Sequence, residues 1–479
     1  MHFQYQLLAQ QIRDKIACGD LSLGQRLSSL RQFAQQHAIS LNTAKSCYEL
    51  LEAQGLIYVK PKAGYFVQAS PSIQSSIAVP QHVDFSSEIH EVSNLELQIE
   101  IQEASMQAQL IHLGAIQLSA SLVPIDAIRR SLQRALKHSQ PEDFLYSDRQ
   151  GHLRLRQALS AHWAEDGFYI AEDEIYISNG CMPALATLIQ NVTEVGDGII
   201  IPTPNFNGQL QLLASLKRKI VEIPAHVGGI DLARLEQAMR DSGAKVCLLT
   251  ANFQNPLGFC LSHAEKEKIA QLAAQYQCLI IEDDIYAECS FSLTRPLPIQ
   301  YWDKAGYVMY CGSLSKSLSP SYRLGWFCIP ARLQHLRAQL LLRNVAVNTP
   351  LQLGFADLIY SRAYREHLNQ LKPIIMNQLN DYIQFIQQAF ADIEVRISQP
   401  QGGYVLWVQL PQQIDSLALY RDAQQRGINI VPGFVFSATP RYNNCIRLNA
   451  GHALSTPIRQ AIEFLAQWTR EQRQQQSVA

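Results

Sequence analysis

Residues 313–326 read SLSKSLSPSYRLGW, and they follow a short apolar segment, residues 308–311, with the composition of a buried strand. Lys316 stands between serines in this stretch, and Arg323 follows it seven residues later. The amine of such a lysine can condense with an aldehyde, while the nearby hydroxyls and the guanidinium can hold a phosphate dianion. Taken alone, a serine-rich loop with one lysine is more often a solvated loop, so the interpretation depends on the rest of the chain.

Two further segments place polar side chains at the ends of strand-like runs. Asp283 follows the predicted strand 278–282 and can pair with a protonated pyridine nitrogen, which keeps such a ring an electron sink. Tyr286 follows shortly after, and Asn255 lies in a turn that contains Pro and Gly; both are suited to the phenolic oxygen of such a ring. Seen singly, Asp283 is more often an ordinary strand-end acid and Asn255 part of a simple turn.

Two more segments supply an anion site and an aromatic face. Cys181 and Met182 stand where a strand-like run passes into a helix, and the free N–H groups at a helix start bind phosphate. Pro183 fits there, because the first N–H groups of a helix have no partner within it. Phe206 offers an aromatic face for stacking, although a core position is equally consistent with its type.

The larger part of the chain alternates between two patterns. From about residue 113 onward, short apolar segments are separated by amphipathic helical stretches, which predicts an α/β fold with a mostly parallel sheet. The clearest predicted strands cover residues 199–202, 246–250, 278–282 and 308–311, and the clearest predicted helices cover residues 232–240 and 264–276.

The first 67 residues have a different organisation. Helical spacing places Leu8, Ile12 and Ile16 on one face, and a second helix is predicted near residues 30–37. Ser40 is a plausible N-cap for a third helix that buries Ala44, Tyr48 and Leu51 and ends at Gly55. Two short strands, residues 56–60 and 65–67, follow around a turn. Three helices and a β-wing predict a winged helix-turn-helix.

Composition limits the class of protein. The 479 residues suggest two to four domains, and 47% apolar with 17% charged residues indicates a globular protein rather than a disordered one. The net charge of −1 excludes a general polycation, but residues 1–67 hold seven basic and four acidic side chains. A small basic module therefore precedes a large acidic body.

Membrane, secreted and metal classes are not indicated. No apolar run approaches the roughly 18 residues of a membrane span, and the start lacks the apolar core of a signal peptide. The ten cysteines include no CxxC pair and no zinc spacing, which is typical of buried thiols in a reducing compartment. We expect a cytoplasmic protein without a membrane partner and without a metal.

Taken together, the order and spacing of these segments resemble the fold-type I pyridoxal-phosphate aminotransferases. The N-terminal module resembles the GntR family, and the fusion of the two resembles the MocR-type transcription regulators. We predict a winged helix-turn-helix in residues 1–68 and a C-terminal tail in 471–479, and the acidic, Ser- and Gln-rich composition predicts a linker in 69–108, which the resemblance does not cover. Between them, the resemblance implies a multi-domain α/β arrangement in which residues 109–470 bind the cofactor and roughly 355–470 form a small domain.

The resemblance also assigns roles around pyridoxal 5'-phosphate. Lys316 matches the lysine that forms the internal aldimine, Asp283 the partner of the ring nitrogen, and Arg447 the arginine that grips an amino-acid carboxylate. Taken alone, Arg447 is more often a surface salt-bridge arginine. Tyr146 matches the tyrosine that reaches the cofactor phosphate of the partner subunit in a head-to-tail homodimer. The other implied cofactor contacts are Tyr286 and Asn255 at the ring oxygen, Phe206 stacked on the ring, and Ser313, Ser315, Arg323, Cys181 and Met182 at the phosphate.

For the N-terminal module, the resemblance implies contacts with double-stranded operator DNA. Residues 24–31 match the GntR segment whose arginines meet DNA, although Ser28 replaces the usual proline. The N-terminal residues of the third helix enter the major groove in this class. The implied DNA contacts are Arg26, Arg31, Asn42, Thr43 and Lys45, with Lys60 and Lys62 on the wing. A three-helix module for protein interaction is the alternative.

We therefore predict a DNA-binding transcription regulator that senses an amino acid, an amine or the cofactor itself through aldimine chemistry at Lys316. The alternative is a catalytically active aminotransferase with an accessory DNA-binding domain, since the sequence does not forbid turnover. A structural protein that binds the cofactor but not DNA is the weakest interpretation. Residues 113–124 match the family's substrate-side arm only loosely, and phenylalanine stands at 206 where tyrosine is commoner, so the effector stays open.

Overall fold

The computed structural model describes the chain except for residues 1–4, 6, 7, 10, 13–20, 22–24, 54, 55, 61–63, 68–94, 105–109, 147, 293, 343–346 and 479. The chain forms two compact units, residues 1–76 and residues 77–479. Nine cysteines lie in the described part, and all of them are free thiols.

The first unit is the predicted winged helix-turn-helix. Helices Leu30–Gln36 and Leu41–Ala53 are followed by strands Ile57–Lys60 and Gly64–Val67, which pair antiparallel. Part of an earlier helix is described at residues 8, 9, 11 and 12, whereas residue 16 lies outside the described residues. The core of the unit consists of Leu8, Ala9, Ile12, Leu27, Phe33, Ala34, Ala44, Cys47, Tyr48, Leu51, Ile57 and Val67.

Local hydrogen bonds explain where these two helices begin. Ser29 and Gln32 form a capping box that satisfies the first free N–H groups of helix Leu30–Gln36. The Ser40 hydroxyl accepts the Thr43 N–H at 3.1 Å, as predicted for the N-cap of the third helix. The predicted burial of Ala44, Tyr48 and Leu51 is also confirmed.

The second unit is built around an eight-stranded mixed sheet. Five neighbouring strands run parallel, and strands Gly325–Cys328 and Gly229–Ile230 run antiparallel to them. The edge strand Ile175–Ser178 pairs antiparallel with Gly325–Cys328, so it has the same direction as the five. The predicted α/β fold with a mostly parallel sheet is thus confirmed. In spatial order the strands are Ile175–Ser178, Gly325–Cys328, Val308–Ser313, Leu279–Asp283, Val246–Leu249, Gly198–Thr203, Lys219–His226 and Gly229–Ile230.

A second, smaller sheet follows later in the chain. Its four strands are antiparallel and stand in the order Arg396–Ile397, Val405–Gln409, Cys445–Asn449 and Val431–Pro432. The short strand Ile428–Asn429 forms a separate, parallel pair with Ile111–His112, which ties this early segment to the chain just before strand Val431–Pro432.

Helices surround these sheets, and two of them revise the predicted domain limits. Helix Leu95–Ala104 occupies part of the predicted linker and buries Ile101 in the core; residues 68–94 of that linker lie outside the described residues. The last helix runs to Val478, so it includes most of the predicted C-terminal tail. The other helices are Ile125–His138, Leu153–Glu165, Cys181–Val192, Asn207–Ser215, Leu232–Asp241, His263–Tyr276, Arg337–Leu342, Thr349–Tyr360, Ala363–Ala389 and Ser416–Gln425.

The parallel strands determine where a site can form. Their carboxyl ends lie at one edge of the sheet, and ligands of open α/β sheets bind at that edge. Asp283 and Ser313 are the last residues of their strands, so both reach this edge. Among the described helices, none is both long enough and apolar enough to cross a membrane.

Candidate cofactor site

A cavity of about 150 Å³ lies at the carboxyl ends of the parallel strands. It brings together nine of the residues that the sequence singled out: Cys181, Met182, Phe206, Asn255, Asp283, Tyr286, Ser315, Lys316 and Arg323. The wall also contains four residues that the sequence reasoning missed: Gln209, Thr250, Ile285 and Pro320.

Among the described residues, Lys316 is the only lysine in this wall, and its amine is buried. The Nζ atom donates a hydrogen bond to the Ile116 carbonyl oxygen at 2.9 Å and lies 5.9 Å from the centre of the Tyr286 ring. Burial, together with the positive charge of Arg447, lowers the pKa of Lys316 from 10.5 to about 8. A lysine whose pKa is lowered in this way carries a larger fraction of the neutral amine, which is the nucleophilic form.

Asp283 is a buried carboxylate that two uncharged side chains hold. The Cys181 thiol lies 3.2 Å from Oδ1, and the Gln209 amide nitrogen donates to Oδ2 at 2.8 Å. Burial raises the pKa of Asp283, and these two hydrogen bonds act in the opposite direction. The carboxylate thus stands at a strand end with its oxygens oriented, as a partner for a ring nitrogen requires.

An anion-binding corner forms where strand Ile175–Ser178 passes into helix Cys181–Val192. The N-cap residue is Gly180, and among the described side chains none caps this helix, so its first N–H groups are available to a ligand. Gly180 has a φ of +107°, and a Cβ there would lie 2.6 Å from the Arg323 Nη2 atom, so only glycine allows this approach. On the other side of the corner, the Ser315 and Ser313 hydroxyl oxygens lie 2.7 Å apart. Ser313 itself supports Ser315 and is outside the cavity wall.

The middle of the cavity suits a flat, polar ring. Phe206 is half-buried at the start of helix Asn207–Ser215. Asn255 is buried, and its Oδ1 atom lacks a hydrogen-bond partner, which is costly unless a ligand or water supplies one. Burial raises the pKa of Tyr286, so its hydroxyl keeps its proton and can donate. These observations fit pyridoxal phosphate, whose ring carries a phenolic oxygen.

Arg447 is a buried arginine and therefore not a surface salt-bridge residue. It lies in strand Cys445–Asn449, where its Nη2 atom donates to the Gly114 carbonyl oxygen and its Nε and Nη1 atoms lack partners. Among the described residues, no carboxylate forms an ion pair with it. Burial lowers the pKa of Arg447 to about 10. A buried guanidinium with free donors is suited to an incoming carboxylate.

Tyr146 is not part of this cavity. Its side chain is 89% exposed on the second unit. The implied contact with a partner subunit's cofactor requires a second chain, so that role stays a prediction.

One group of side chains has the composition of a metal site. Atoms of His162, Asp166 and Glu288 lie within 4.8 Å of one another. However, Asp166 pairs with Arg365 at 2.7 Å, and Glu288 lies 3.4 Å from the Nε atom of Arg295. These acids are already compensated by arginines, so the group is better explained as a buried ion-pair network.

In the first unit, the implied DNA contacts are mostly exposed. Arg26, Arg31 and Asn42 are exposed, and Thr43 is half-buried beside the Ser40 hydroxyl. Two lysines have local partners, because Lys45 lies 3.5 Å from Glu49, and the Lys60 amine lies 5.3 Å from the Phe66 ring centre. Lys62 lies outside the described residues.

Comparisons with known families agree with this architecture. The family described as "Bacterial regulatory proteins, gntR family" matches residues 4–67, and "Aminotransferase class I and II" matches residues 109–465. The two folds and the cavity define the class as transcription regulators in which a GntR helix-turn-helix precedes an aminotransferase domain. The chain belongs to this family, with the MocR-type architecture.

Relatives along the full length carry the same description. The chain is 33% identical over 473 residues to the uncharacterized HTH-type transcriptional regulator YdcR of Escherichia coli K12, covering 98% of this chain and 99% of that protein. It is 24% identical to the HTH-type transcriptional regulator NorG of Staphylococcus aureus, covering 91% and 98%.

Solved structures confirm the fold of the large unit. The multiple substrate aminotransferase from Thermococcus profundus matches with a TM-score of 0.71 at 24% identity, over 80% of this chain and 96% of that one. A kynurenine aminotransferase from Pyrococcus horikoshii, solved in complex with PMP, gives the same TM-score over 79% and 94%.

Proposed function

We propose that this transcription regulator binds pyridoxal 5'-phosphate in the Lys316 cavity and senses an amino acid or a related amine there. The observation that carries the proposal is that Lys316, Asp283 and Arg323 line one cavity. An amine nucleophile, a partner for a ring nitrogen and a cation for a phosphate therefore face the same space.

Different residues of the cavity would bind different parts of the cofactor. Pyridoxal phosphate, when bound, supplies an aldehyde that condenses with primary amines and a ring that withdraws electrons. Lys316 provides the amine, and the Asp283 carboxylate would accept a hydrogen bond from the protonated ring nitrogen. The phosphate would be held by the Ser315 hydroxyl, Arg323 and the N–H groups of Cys181 and Met182. Phe206 would stack on the ring, with Asn255 and Tyr286 at its phenolic oxygen.

The effector would act through Arg447. An amino acid brings a carboxylate that can replace the Gly114 carbonyl oxygen as the acceptor and also engage the two free donors. A ligand shifts a conformational equilibrium only through its different affinities for the states. Without an effector, Arg447 holds the segment that contains Gly114 through its carbonyl oxygen. An effector carboxylate that takes over Arg447 would release this segment, so the effector would bind the released state more tightly.

The output would be a change in operator binding. A GntR module is a DNA-binding helix-turn-helix. In a head-to-tail homodimer, each of the two modules would bind one half-site of the operator. In this arrangement Tyr146 would reach the cofactor phosphate of the partner subunit, which agrees with its exposure on a single chain.

Loading with the cofactor should depend on pH. Because the pKa of Lys316 is lowered to about 8, its neutral amine becomes the main form above that pH. We expect the rate constant for covalent loading, followed by visible absorption, to rise with pH around a midpoint near 8. In Arg447→Met the midpoint should move upward, because a positive charge that lowers the pKa is gone. A midpoint near 10.5 in the unaltered chain would contradict this prediction.

DNA binding should weaken when Arg31 is replaced. If Arg31 contacts a phosphate, Arg31→Ala removes the release of about one counterion, so affinity falls roughly tenfold at ~0.1 M salt. The slope of log affinity against log salt should also become shallower by about 0.9. Arg234→Ala, an exposed arginine of the second unit, is the control and should change neither quantity. Unaltered affinity and slope in Arg31→Ala would reject the contact.

The rival function is a turnover aminotransferase, which is supported because Lys316 and Asp283 line one cavity and Arg447, outside its wall, is near enough for its charge to act on Lys316. The two functions are separated by incubating the loaded protein with amino acids and an acceptor keto acid. Rapid, repeated release of new keto acid favours the enzyme. A stoichiometric spectral change together with an altered footprint on DNA favours the regulator.

A further inference from the structure

Gln209 lies in the cavity wall, but its amide is hydrogen-bonded to Asp283 and was not assigned a contact with the cofactor. It is buried one turn after Phe206, in helix Asn207–Ser215, and its Nε2 atom donates to Asp283 at 2.8 Å. Its Oε1 atom accepts a hydrogen bond from the Asn205 amide at 2.9 Å. Because Asn205 occupies the oxygen end, the NH₂ end of Gln209 must point to the carboxylate.

Asn205 is itself fixed. Its backbone N–H donates to the Phe436 carbonyl oxygen at 2.7 Å, and its side chain is 2% exposed. The hydrogen bonds therefore run in one direction: the Asn205 amide donates to Gln209, and the Gln209 amide donates to Asp283. If either amide were turned over, two acceptor oxygens would face each other.

The other oxygen of Asp283 receives the Cys181 thiol at 3.2 Å. Burial and the negative charge of Asp283 raise the pKa of this thiol well above its ordinary value, so it stays protonated and acts as a donor. Among the described residues, no cation forms an ion pair with Asp283. The hydrogen bonds from Cys181, Gln209 and the Ile285 N–H favour the ionised form of Asp283, and the positive charge of Lys316 acts in the same direction.

We infer that Gln209 and Cys181 are positioning residues that keep Asp283 ionised and so hold the proton on the ring nitrogen of the cofactor. This inference rests on the proposed function. An aspartate and a ring nitrogen in contact share one proton, and each hydrogen bond donated to the carboxylate makes it less basic. Uncharged donors suit this task, because neither can take the proton or compete for it as a base at neutral pH.

The test uses Gln209→Met in the full-length protein loaded with pyridoxal phosphate that carries ¹⁵N in its ring. Methionine keeps the length of the side chain but cannot donate. We expect the ring-nitrogen chemical shift to move toward that of neutral pyridine, and the pH midpoint of the visible band to rise by about one unit. Gln211→Met, on the same helix but outside the cavity wall, is the control and should match the unaltered protein.

A second pair of variants addresses Cys181. Cys181→Ala should move both signals in the same direction, whereas Cys181→Ser, which keeps a donor, should restore them. A merely structural role would alter thermal stability in these variants and leave the two signals unchanged, and that result would overturn the inference. Failure of the proposed function looks different, since the unaltered protein would then bind no cofactor and give neither signal.

Discussion

Lys316→Ala is expected to abolish covalent attachment of pyridoxal phosphate. No other lysine of the described part of the chain lines the cavity wall, so the visible band of the bound cofactor should disappear and borohydride should fix none of it. The fold should survive, because the substitution removes a buried amine whose charge burial already disfavours. We expect the free energy of unfolding to stay within about 1 kcal/mol of the unaltered value.

The measurement is reduction with borohydride followed by mass spectrometry of tryptic peptides. In the unaltered chain the adduct should lie on the fragment that contains Lys316. Lys268→Ala, an exposed lysine on a surface helix, is the control and should retain the adduct. An adduct on another lysine, or an undiminished visible band in Lys316→Ala, would falsify the assignment and with it the proposed sensing mechanism.

The site was largely predictable because its residues follow strands. Asp283 and Ser313 end neighbouring parallel strands, so a correct prediction of those strands already places both at one edge. A helix start after a glycine has a sequence signal as well, which explains why Cys181 and Met182 were found. In each case the local pattern dictates where the side chain can point.

The missed contacts have weaker signals. Lys316 and Arg447 donate to the carbonyl oxygens of Ile116 and Gly114, and backbone carbonyls are present at every residue. Gln209 did have a signal, because a residue three positions after Phe206 lies on the same helix face. Its partner Asp283 is 74 residues away, however, and no local pattern shows that pairing.

The helix Leu95–Ala104 shows why the predicted linker was too long. Its sequence, LELQIEIQEA, alternates apolar and polar residues, a pattern that favours a strand as much as a helix. In the structure Leu97 is half-buried and Ile101 is buried, while Ile99 is 43% exposed. Leu97 and Ile101 are four residues apart and lie on the face that packs against the rest of the second unit, so this packing selects the helix.

Arg447→Met is expected to weaken the binding of an effector that has a carboxylate and not the binding of an amine that lacks one. A charge-assisted contact through two guanidinium donors contributes about 3 kcal/mol, so affinity for an amino acid should fall on the order of 100-fold. The corresponding amine without a carboxylate should bind equally well to both proteins. Titration of the visible band with each ligand measures the two affinities, and an equal loss for both ligands would argue against a carboxylate contact.

The same variant should be more stable without ligand. Burial lowers the pKa of Arg447 from 12.5 to about 10, so below that pH the buried charge lowers the free energy of unfolding. Replacement by an apolar side chain of similar length removes this cost, although the Gly114 carbonyl oxygen loses its donor. The net gain should be on the order of 1–2 kcal/mol, measured by thermal or urea unfolding near pH 7.

Arg441 supplies the matched control for this gain. It is also largely buried, but it lies 3.8 Å from Glu222 and donates to the Thr439 hydroxyl at 2.8 Å. Arg441→Met leaves the Glu222 carboxylate with less compensation, so this variant should be less stable. A gain in the free energy of unfolding for Arg447→Met together with a loss for Arg441→Met is expected only if Arg447 has no anionic partner before an effector binds. A loss of stability in Arg447→Met would mean that the chain itself already satisfies this arginine.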